Sequence, residues 1–231
     1  MNLDPLLASL EGGLIVSCQA SPGNPMDSPE ILAAFAKCAD EAGAVAIRAN
    51  HGRNIAAIVK AVRLPVIGLK KREVPEFEIY ITPEWQDVAE AAEAGAKIIA
   101  LDATSRPRPG PDDFRALTKR IHEELDLLVM ADISTVDEGS KAREDGADVV
   151  STTMSGYTSY TQDRYDLGPD IDLVEGLAKR LDCPVVCEGR ISTPSQAGSA
   201  LNAGAFAVVV GTAITAPTWI AEQFVKEMRR L

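Results

Sequence analysis

Eight short apolar runs punctuate the chain, and each is followed by a stretch in which apolar residues recur every three or four positions. Most of the runs are nearly continuous, which is typical of parallel strands that are covered on both faces. The pattern therefore predicts eight parallel strands. Their predicted ranges are 14–18, 45–49, 66–70, 97–102, 127–132, 148–153, 184–187 and 206–210.

The segments between the predicted strands carry the residues that start helices. A hydroxyl side chain followed by proline, or by glutamate three positions later, is a common first turn of a helix. Such starts occur at Ser28-Pro29, at Thr-Pro-Glu 82–84, at Thr135 with Glu138, and at Thr193-Pro194. The sequence therefore predicts a helix after each of these points.

A short phrase closes four of these helices. It reads EAGA at 41–44 and 93–96, EDGA at 144–147 and NAGA at 202–205, so the copies are about 50 to 60 residues apart. Its glycine stands where the end of a helix needs a positive φ. Because each interval has room for two strand–helix units, four copies predict eight units.

Regular alternation of eight strands and helices predicts an α/β fold, the (β/α)8 TIM barrel. A doubly wound sheet is the alternative, but such a sheet rarely needs eight strands of this kind. The whole chain, 1–231, contains no linker or low-complexity segment, so we expect a single domain. Residues 1–12 are expected to form a short helix across the bottom of the barrel.

Composition and charge argue against several classes of binding partner. The net charge of −11 argues against nucleic acid or an anionic membrane, since both need a basic face on the protein. No run of about 18 apolar residues predicts a membrane span, and the acidic N-terminal segment does not resemble a signal peptide. The four cysteines are interpreted as small apolar residues rather than disulfides. We therefore expect a cytoplasmic protein.

Polar residues follow the carboxyl end of every predicted strand, where barrel enzymes build their active sites. Asp102 and Asp132 could instead cap turns, and Gln19 could bond loop backbone. The full set is Gln19, Arg48, Lys70 or Lys71, Asp102, Asp132, Thr152 with Ser155, Glu188 with Arg190, and Thr212. Charged groups at most of the strand ends predict one converging site.

Glycines after the last two strands predict a phosphate site. Loops at this position of a barrel often bind phosphate through backbone N–H groups, and glycine lets the anion approach closely. The candidate residues are Gly189, Arg190, Gly211 and Thr212. Arg190 would add a charge-assisted hydrogen bond.

Lysine, glutamate and arginine beside a phosphate cradle suit proton transfer next to a carbonyl. With only two histidines, His51 and His122, and no His/carboxylate cluster, the sequence predicts neither metal nor cofactor. A lysine base must have its pKa lowered toward about 7–8, and we expect Lys70 and Arg72 to contribute to this. Side-chain alternation lets only one of Lys70 and Lys71 face the barrel mouth, and does not say which.

Several phrases together resemble the N-acetylmannosamine-6-phosphate 2-epimerase family. They are GLIVSCQ (13–19), AIRAN (46–50), PVIGLKKR (65–72), YITP (80–83), IIALDAT (98–104), MADIST (130–135), TTMSGYT (152–158), CEGRISTPSQA (187–197) and VVVGTAIT (208–215). The resemblance implies a TIM barrel of sialic acid catabolism. Such an enzyme interconverts N-acetylmannosamine 6-phosphate and N-acetylglucosamine 6-phosphate.

The resemblance also implies roles for individual residues. Lys71 would be the base that removes the C2 proton of the open-chain sugar, and Glu188 would assist ring opening and proton traffic. Arg48, Asp132 and Gln19 would orient the lysine and the C1 oxygen. Within TTMSGYT, the residues expected to bind substrate are Thr152, Ser155 and Tyr157.

The sequence departs from the family pattern at three positions. Lys70 replaces a residue that is often apolar, and Ser151 replaces a common glycine. Ala216 stands where the family commonly has arginine after the last strand. That arginine is expected to help hold the phosphate, so another residue such as Arg190 would have to compensate.

Other functions remain open on the same barrel. Lys71 could form a Schiff base as in an aldolase. A metal-dependent pentose-phosphate epimerase fits less well because the expected histidine ligands are lacking. A non-catalytic protein that binds phosphosugars is conceivable because of Ala216. For an epimerase or a phosphosugar-binding protein, the expected partner is a small phosphosugar. The assembly considered for the protein is a homodimer.

Overall fold

The computed structural model describes residues 3–229 of the chain. Eight parallel strands follow one another around a closed barrel, and the last strand pairs with the first. The predicted (β/α)8 barrel is therefore confirmed, with every strand end within two residues of the predicted one. The strands are β1 Leu14–Cys18, β2 Ala46–Asn50, β3 Val66–Leu69, β4 Ile98–Asp102, β5 Leu128–Asp132, β6 Val149–Ser151, β7 Val185–Glu188 and β8 Ala207–Val210.

One helix precedes β1, and the others follow the strands and form the outer layer. The helices are α1 Pro5–Ala8, α2 Pro29–Glu41, α3 Gly52–Ala61, α4 Trp85–Glu93, α5 Phe114–Arg120, α6 Val136–Glu144, α7 Ile171–Arg180, α8 Pro194–Asn202, α9 Thr212–Thr215 and α10 Pro217–Met228. A π-helical turn, Ile121–Leu125, extends α5, and two 3₁₀ turns, Thr152–Met154 and Gln162–Leu167, lie between β6 and α7.

A helix follows each of the four predicted starts, and three of the helices have the predicted hydroxyl cap. The side chains of Ser28, Thr135 and Thr193 each accept a hydrogen bond from a backbone N–H in the first turn. At the fourth, α4 does begin directly after the Thr-Pro-Glu phrase, but its cap is Glu84 and not the hydroxyl of Thr82. Thr82 is instead buried, and its hydroxyl donates to the carbonyl of Ala100 at 2.7 Å.

The recurring Gly phrase closes four helices as predicted. In α2, Gly43 has φ +87°, its N–H donates to the carbonyl of Asp40, and the N–H of Ala44 donates to that of Ala39. This pair of bonds is the Schellman cap, which satisfies carbonyls that the helix end leaves free. The glycines at 95, 146 and 204 repeat the positive φ. The next strand can therefore begin within two or three residues.

The interior of the barrel is filled by one side of every strand. Ile67 and Leu69 of β3, Met130 of β5 and Val149 of β6 belong to one buried cluster. Leu7 and Leu10, within and just after α1, join the same cluster at the end where the strands begin. Since alternate residues of a strand face the same way, the positions that continue this inward row past each strand's carboxyl end are fixed.

Two further expectations concern membrane spans and the cysteines. No helix between residues 3 and 229 is both long enough and apolar enough to span a membrane. The four cysteines are free thiols, of which Cys18, Cys183 and Cys187 are buried. Burial raises the pKa of the Cys187 thiol to about 11, so this group behaves as a small apolar side chain.

Candidate functional site

A cavity of about 1000 Å³ opens at the carboxyl ends of the strands. Its volume is at the upper end of the range of small-molecule sites. It brings together most of the residues predicted to form a site. The predicted residues that line it are Gln19, Arg48, Lys71, Tyr157, Glu188, Gly189, Arg190, Gly211 and Thr212.

The two consecutive lysines point to different sides of the barrel wall. Lys71 continues the inward row of Ile67 and Leu69 and lines the cavity. Lys70 lies outside, where its ammonium donates to both carboxylate oxygens of Glu90 on α4 at 2.7 and 2.9 Å. The backbone N–H of Lys71 donates to the Asn50 side chain at 2.8 Å, which fixes the strand end to β2. Tertiary structure thus distinguishes two residues that alternation alone did not.

The pKa of Lys71 lies below its ordinary value. Lys71 retains solvent-accessible surface in the open cavity, yet the cavity walls surround its ammonium group and weaken its hydration. This loss of hydration is the main cause, and the cation of Arg48 adds to it, while Glu188 and Asp132 oppose it. The expected contributions of Lys70 and Arg72 were wrong. Lys70 pairs with Glu90 outside the cavity, and Arg72, although it lines the cavity, pairs with Glu84 and Asp87.

Arg48 is the charged centre of the cavity floor. Its guanidinium is almost fully buried, and both terminal nitrogens donate to the Asp132 carboxylate, Nη1 to Oδ1 at 3.0 Å. The same Nη1 lies 3.1 Å from Glu188 Oε2. The two carboxylates outweigh the effect of burial and raise the pKa of Arg48, so it stays a cation. One cation therefore joins the ends of β5 and β7.

The pKa of Glu188 lies above its ordinary value. Burial raises the pKa of its carboxyl, the neighbouring Asp132 raises it further, and Arg48 and Lys71 act in the opposite direction. Asp132 itself is fully buried behind Arg48 and does not line the cavity. It holds Arg48 in position and has no surface with which to touch a substrate.

The structure corrects two predicted substrate contacts in the β6–α7 connection. Thr152 faces away from the cavity and exchanges hydrogen bonds with the backbone of Glu188 at 2.9 and 3.0 Å. Ser155 is buried and donates to Asp170 at 2.6 Å. The cavity residue is instead Thr153, which the sequence reasoning missed. Counting inward positions from Val149 through Ser151 would have found it.

Two other polar strand ends have local partners. Asp102 is buried and accepts hydrogen bonds from Thr104 and Arg106, so it caps the turn after β4 rather than lining the cavity. Gln19 lines the cavity, and its amide nitrogen donates to Ser17 at 2.9 Å. Its oxygen is buried and accepts no hydrogen bond from the described residues. This oxygen is available to a donor on a ligand.

The predicted phosphate residues line one region of the cavity wall with Ala216. Gly189 has φ +109°, a conformation that favours glycine. Arg190 donates from Nε to the carbonyl of Gly168 at 2.7 Å and from Nη1 to that of Ser155, and its guanidinium lies 5.5 Å from the ring centre of Tyr157. Arg190 therefore braces the β6–α7 connection while it faces the cavity.

The two histidines have different surroundings. His122 lies in the π-helical turn and bonds Asp148 at 2.8 Å, which raises its pKa. His51 lines the cavity with φ +70°, an unusual value for a residue other than glycine. Burial lowers the pKa of His51, and Lys70 adds to the effect. His51 is thus a neutral imidazole at neutral pH, on a strained turn.

Comparisons with known proteins agree on one family. A family model described as "Putative N-acetylmannosamine-6-phosphate epimerase" matches residues 32–230. A Caldanaerobacter subterraneus protein named "Putative N-acetylmannosamine-6-phosphate 2-epimerase" is 50% identical over 226 residues, which cover 97% of this chain and 94% of the relative. A protein of the same name from Clostridioides difficile is 48% identical over 221 residues, covering 96% of this chain and 98% of the relative.

A solved structure extends the similarity to three dimensions. It is the N-acetylmannosamine-6-phosphate 2-epimerase from Clostridium perfringens, which superposes with a TM-score of 0.92 at 42% identity. The match covers 98% of this chain and 97% of the solved one. Thiamine phosphate pyrophosphorylase from Pyrococcus furiosus superposes with a TM-score of 0.63 at 17% identity, which reflects the shared barrel fold alone.

Proposed function

This chain belongs to the N-acetylmannosamine-6-phosphate epimerase family, and we propose that it interconverts N-acetylmannosamine 6-phosphate and N-acetylglucosamine 6-phosphate. The observation that carries the proposal is the meeting of Lys71, Arg48 and Glu188 in one cavity. Lys71 follows β3, Arg48 lies on β2 and Glu188 ends β7, so only the closed barrel brings the three groups together.

Lys71 is the proposed base. In the open-chain sugar the C1 aldehyde acidifies the C2–H bond, and a neutral amine can remove that proton. The lowered pKa of Lys71 favours the neutral form, which is the form that a base requires. Return of a proton to the opposite face of C2 then inverts the centre, and the nitrogen substituent and phosphate are unchanged.

Glu188 and Arg48 act on the sugar oxygens in this proposal. The C1 oxygen gains negative charge as the proton leaves C2, and the buried cation of Arg48 stabilises that charge without reorganising. Glu188, with its raised pKa, can carry a proton to or from the ring oxygen when the ring opens or closes. Asp132 positions Arg48 through its two hydrogen bonds.

The remaining lining residues are proposed to bind the substrate. Gln19 offers an unpaired amide oxygen, and Tyr157 offers a half-exposed ring. The phosphate would lie against the backbone of Gly189 and Gly211, with Thr212 and Arg190 beside it. Thr152 and Ser155 are not part of this set, because their hydroxyls are bonded elsewhere.

A proton NMR time course in D₂O tests the reaction. Purified protein with N-acetylmannosamine 6-phosphate should produce the N-acetylglucosamine isomer, and deuterium should appear at C2 of the product. The unphosphorylated sugar should react far more slowly if the phosphate region anchors the substrate. No turnover, or turnover without deuterium at C2, would contradict the proposal.

The competing functions give different outcomes. An aldolase would form a covalent adduct through Lys71, so borohydride with substrate should increase the mass of the protein; the epimerase should remain unmodified. A binding protein would show a thermal shift with the phosphosugar and no turnover. Activity that survives a strong chelator would exclude a metal-dependent epimerase.

We also propose that the protein is a cytoplasmic homodimer. Helix α10 packs mainly against α9 and has no buried residue. Ile220, Phe224 and Met228 are spaced four apart and so form a stripe, of which Phe224 and Met228 are 68% and 74% exposed. A second copy could cover this stripe with its own. Light scattering after size-exclusion chromatography should give twice the monomer mass, and Phe224→Asp should return it to the monomer value.

A further inference from the structure

Two hydroxyl groups lie inside the barrel behind Glu188. Ser151 ends β6 and is fully buried, and Thr153 occupies the next inward position and lines the cavity. Their oxygens are 2.8 Å apart. Neither residue belongs to the set with a role in proton transfer described above.

Thr153 stands between the two carboxylates. Its Oγ1 lies 2.7 Å from Asp132 Oδ1 and 3.1 Å from Glu188 Oε2. A hydroxyl has a single proton and two acceptor sites, so it donates to one carboxylate at a time. Asp132 keeps two donors from Arg48 in either case. Glu188 Oε2 has a single contact with Arg48, at 3.1 Å, so its set of partners depends more on the direction of the Thr153 hydroxyl than that of Asp132 does.

We infer that Thr153 is a positioning residue whose hydroxyl turns so that Glu188 is satisfied both as carboxylate and as carboxylic acid. With Glu188 ionised, Thr153 donates to Glu188 Oε2. With Glu188 protonated, Oε2–H donates to Thr153 Oγ1, and Thr153 donates to Asp132 Oδ1. Ser151 can donate to Thr153 in both arrangements. The proton itself goes between Glu188 and a substrate oxygen, and none is gained or lost by Thr153.

This arrangement matters for a group that must both give and take a proton. A buried polar group without a partner costs roughly 1–3 kcal/mol, which would oppose whichever state lacked a hydrogen bond. A rotating hydroxyl reduces that difference, because it offers a hydrogen-bond partner to Glu188 in each state. The inference rests on the proposed role of Glu188 in proton transfer.

Thr153→Val tests the inference, because valine keeps the shape and removes the hydroxyl. We expect kcat to fall about 10- to 100-fold, the loss typical of a misplaced catalytic group, with a much smaller change in KM. Ionisation of Glu188 should give the pH profile an acidic limb of its own, besides that of Lys71. This limb should move to higher pH in Thr153→Val, because the hydrogen bond donated to the charged carboxylate is stronger than the one accepted from the neutral acid, so its loss raises the pKa of Glu188. Thr153→Ser, which restores the hydroxyl, should recover most of the activity and the limb.

Thr152→Val is the matched control. It removes the neighbouring hydroxyl, which bonds the backbone of Glu188 and not its carboxylate, so the limb should stay at its wild-type pH. A Thr153→Val enzyme with wild-type kcat and limb would overturn the inference, as would a folded Thr153→Ser as impaired as Thr153→Val. If Thr153→Val does not fold, the serine and alanine variants make the same comparison.

A second measurement is independent of turnover. Carbon NMR titration of the Glu188 carboxyl, with ¹³C-labelled glutamate, should show a higher pKa in Thr153→Val than in wild type. An inactive wild-type enzyme would contradict the proposed function and leave this titration unaffected. An unchanged Glu188 titration in an active enzyme would overturn only the role of Thr153.

Discussion

The guanidinium of Arg48 and the carboxylate of Asp132 face each other inside the barrel, with 1% and 0% of their side chains exposed. Removing one member of a buried pair leaves the other charge without its partner, which costs about 3–5 kcal/mol. We therefore expect Arg48→Met to lower the free energy of unfolding by about this amount. Urea denaturation followed by circular dichroism measures the change.

Arg180→Met is the control for that substitution. Arg180 pairs with Asp137 at 3.4 Å, and both side chains are mostly exposed. Water screens such a pair, so its loss should leave the free energy of unfolding nearly unchanged. Equal losses of unfolding free energy in the two variants would show that the contribution of Arg48 to stability does not depend on its burial.

Lys71 and its neighbour Lys70 provide a comparison within one strand end. Lys71→Ala should lower kcat by at least about 10²- to 10⁴-fold, because it removes the proposed base. Lys70→Ala should keep most of the activity, since that side chain bonds Glu90 outside the cavity. The NMR assay in D₂O measures both. Near-normal turnover in Lys71→Ala would contradict the assignment.

The pH dependence of kcat/KM reports the state of Lys71. The base must be neutral, so activity should rise with pH through its pKa, which lies below the ordinary 10.5. Between that lowered value and 10.5 the unfolded chain holds one more proton at this site, so the contribution of Lys71 to stability should also rise with pH. An ascending limb at or above 10.5 would contradict the lowered pKa.

Ala216 gives a gain-of-function test. It lines the cavity beside the proposed phosphate region, where the family pattern often has arginine. A charge-assisted hydrogen bond contributes about 1.5–3 kcal/mol, so Ala216→Arg should lower the KM for the phosphorylated sugar about tenfold or more. Ala216→Met adds length without charge and should not do so. Equal KM values for the two variants would argue that the phosphate binds elsewhere.

His51 provides a test of strain. A residue other than glycine in a sparsely populated backbone region costs about 1–3 kcal/mol, and φ at His51 is +70°. His51→Gly should relieve the strain, and after the entropy cost of glycine, about 0.5–1 kcal/mol, it should raise the free energy of unfolding slightly. His51→Ala loses the same ring and keeps the strained Cβ. A glycine variant no more stable than the alanine variant would contradict this.

The sequence by itself determined the order of elements and their caps. Apolar runs, hydroxyl side chains at helix starts and the repeated Gly phrase act over only a few residues of the chain. Ser28 and Thr135 therefore cap helices, and Gly43 ends one, as the sequence pattern predicted. The phrases around Lys71 and Glu188 likewise pointed to one family, which the comparisons show.

Only the tertiary structure decided which side chains share a cavity and in what electrostatic state. Lys70 and Lys71 differ because Lys70 points outward and binds Glu90 of helix α4, while Lys71 points into the cavity. Thr153 lines the cavity and Thr152 does not, because the inward row of β6 continues past the strand end. The pKa of Lys71 depends in part on Arg48, which lies on the neighbouring strand β2 and is distant in sequence. Hydration and Coulomb interactions act through space, so they are set when the barrel closes and not by neighbours along the chain.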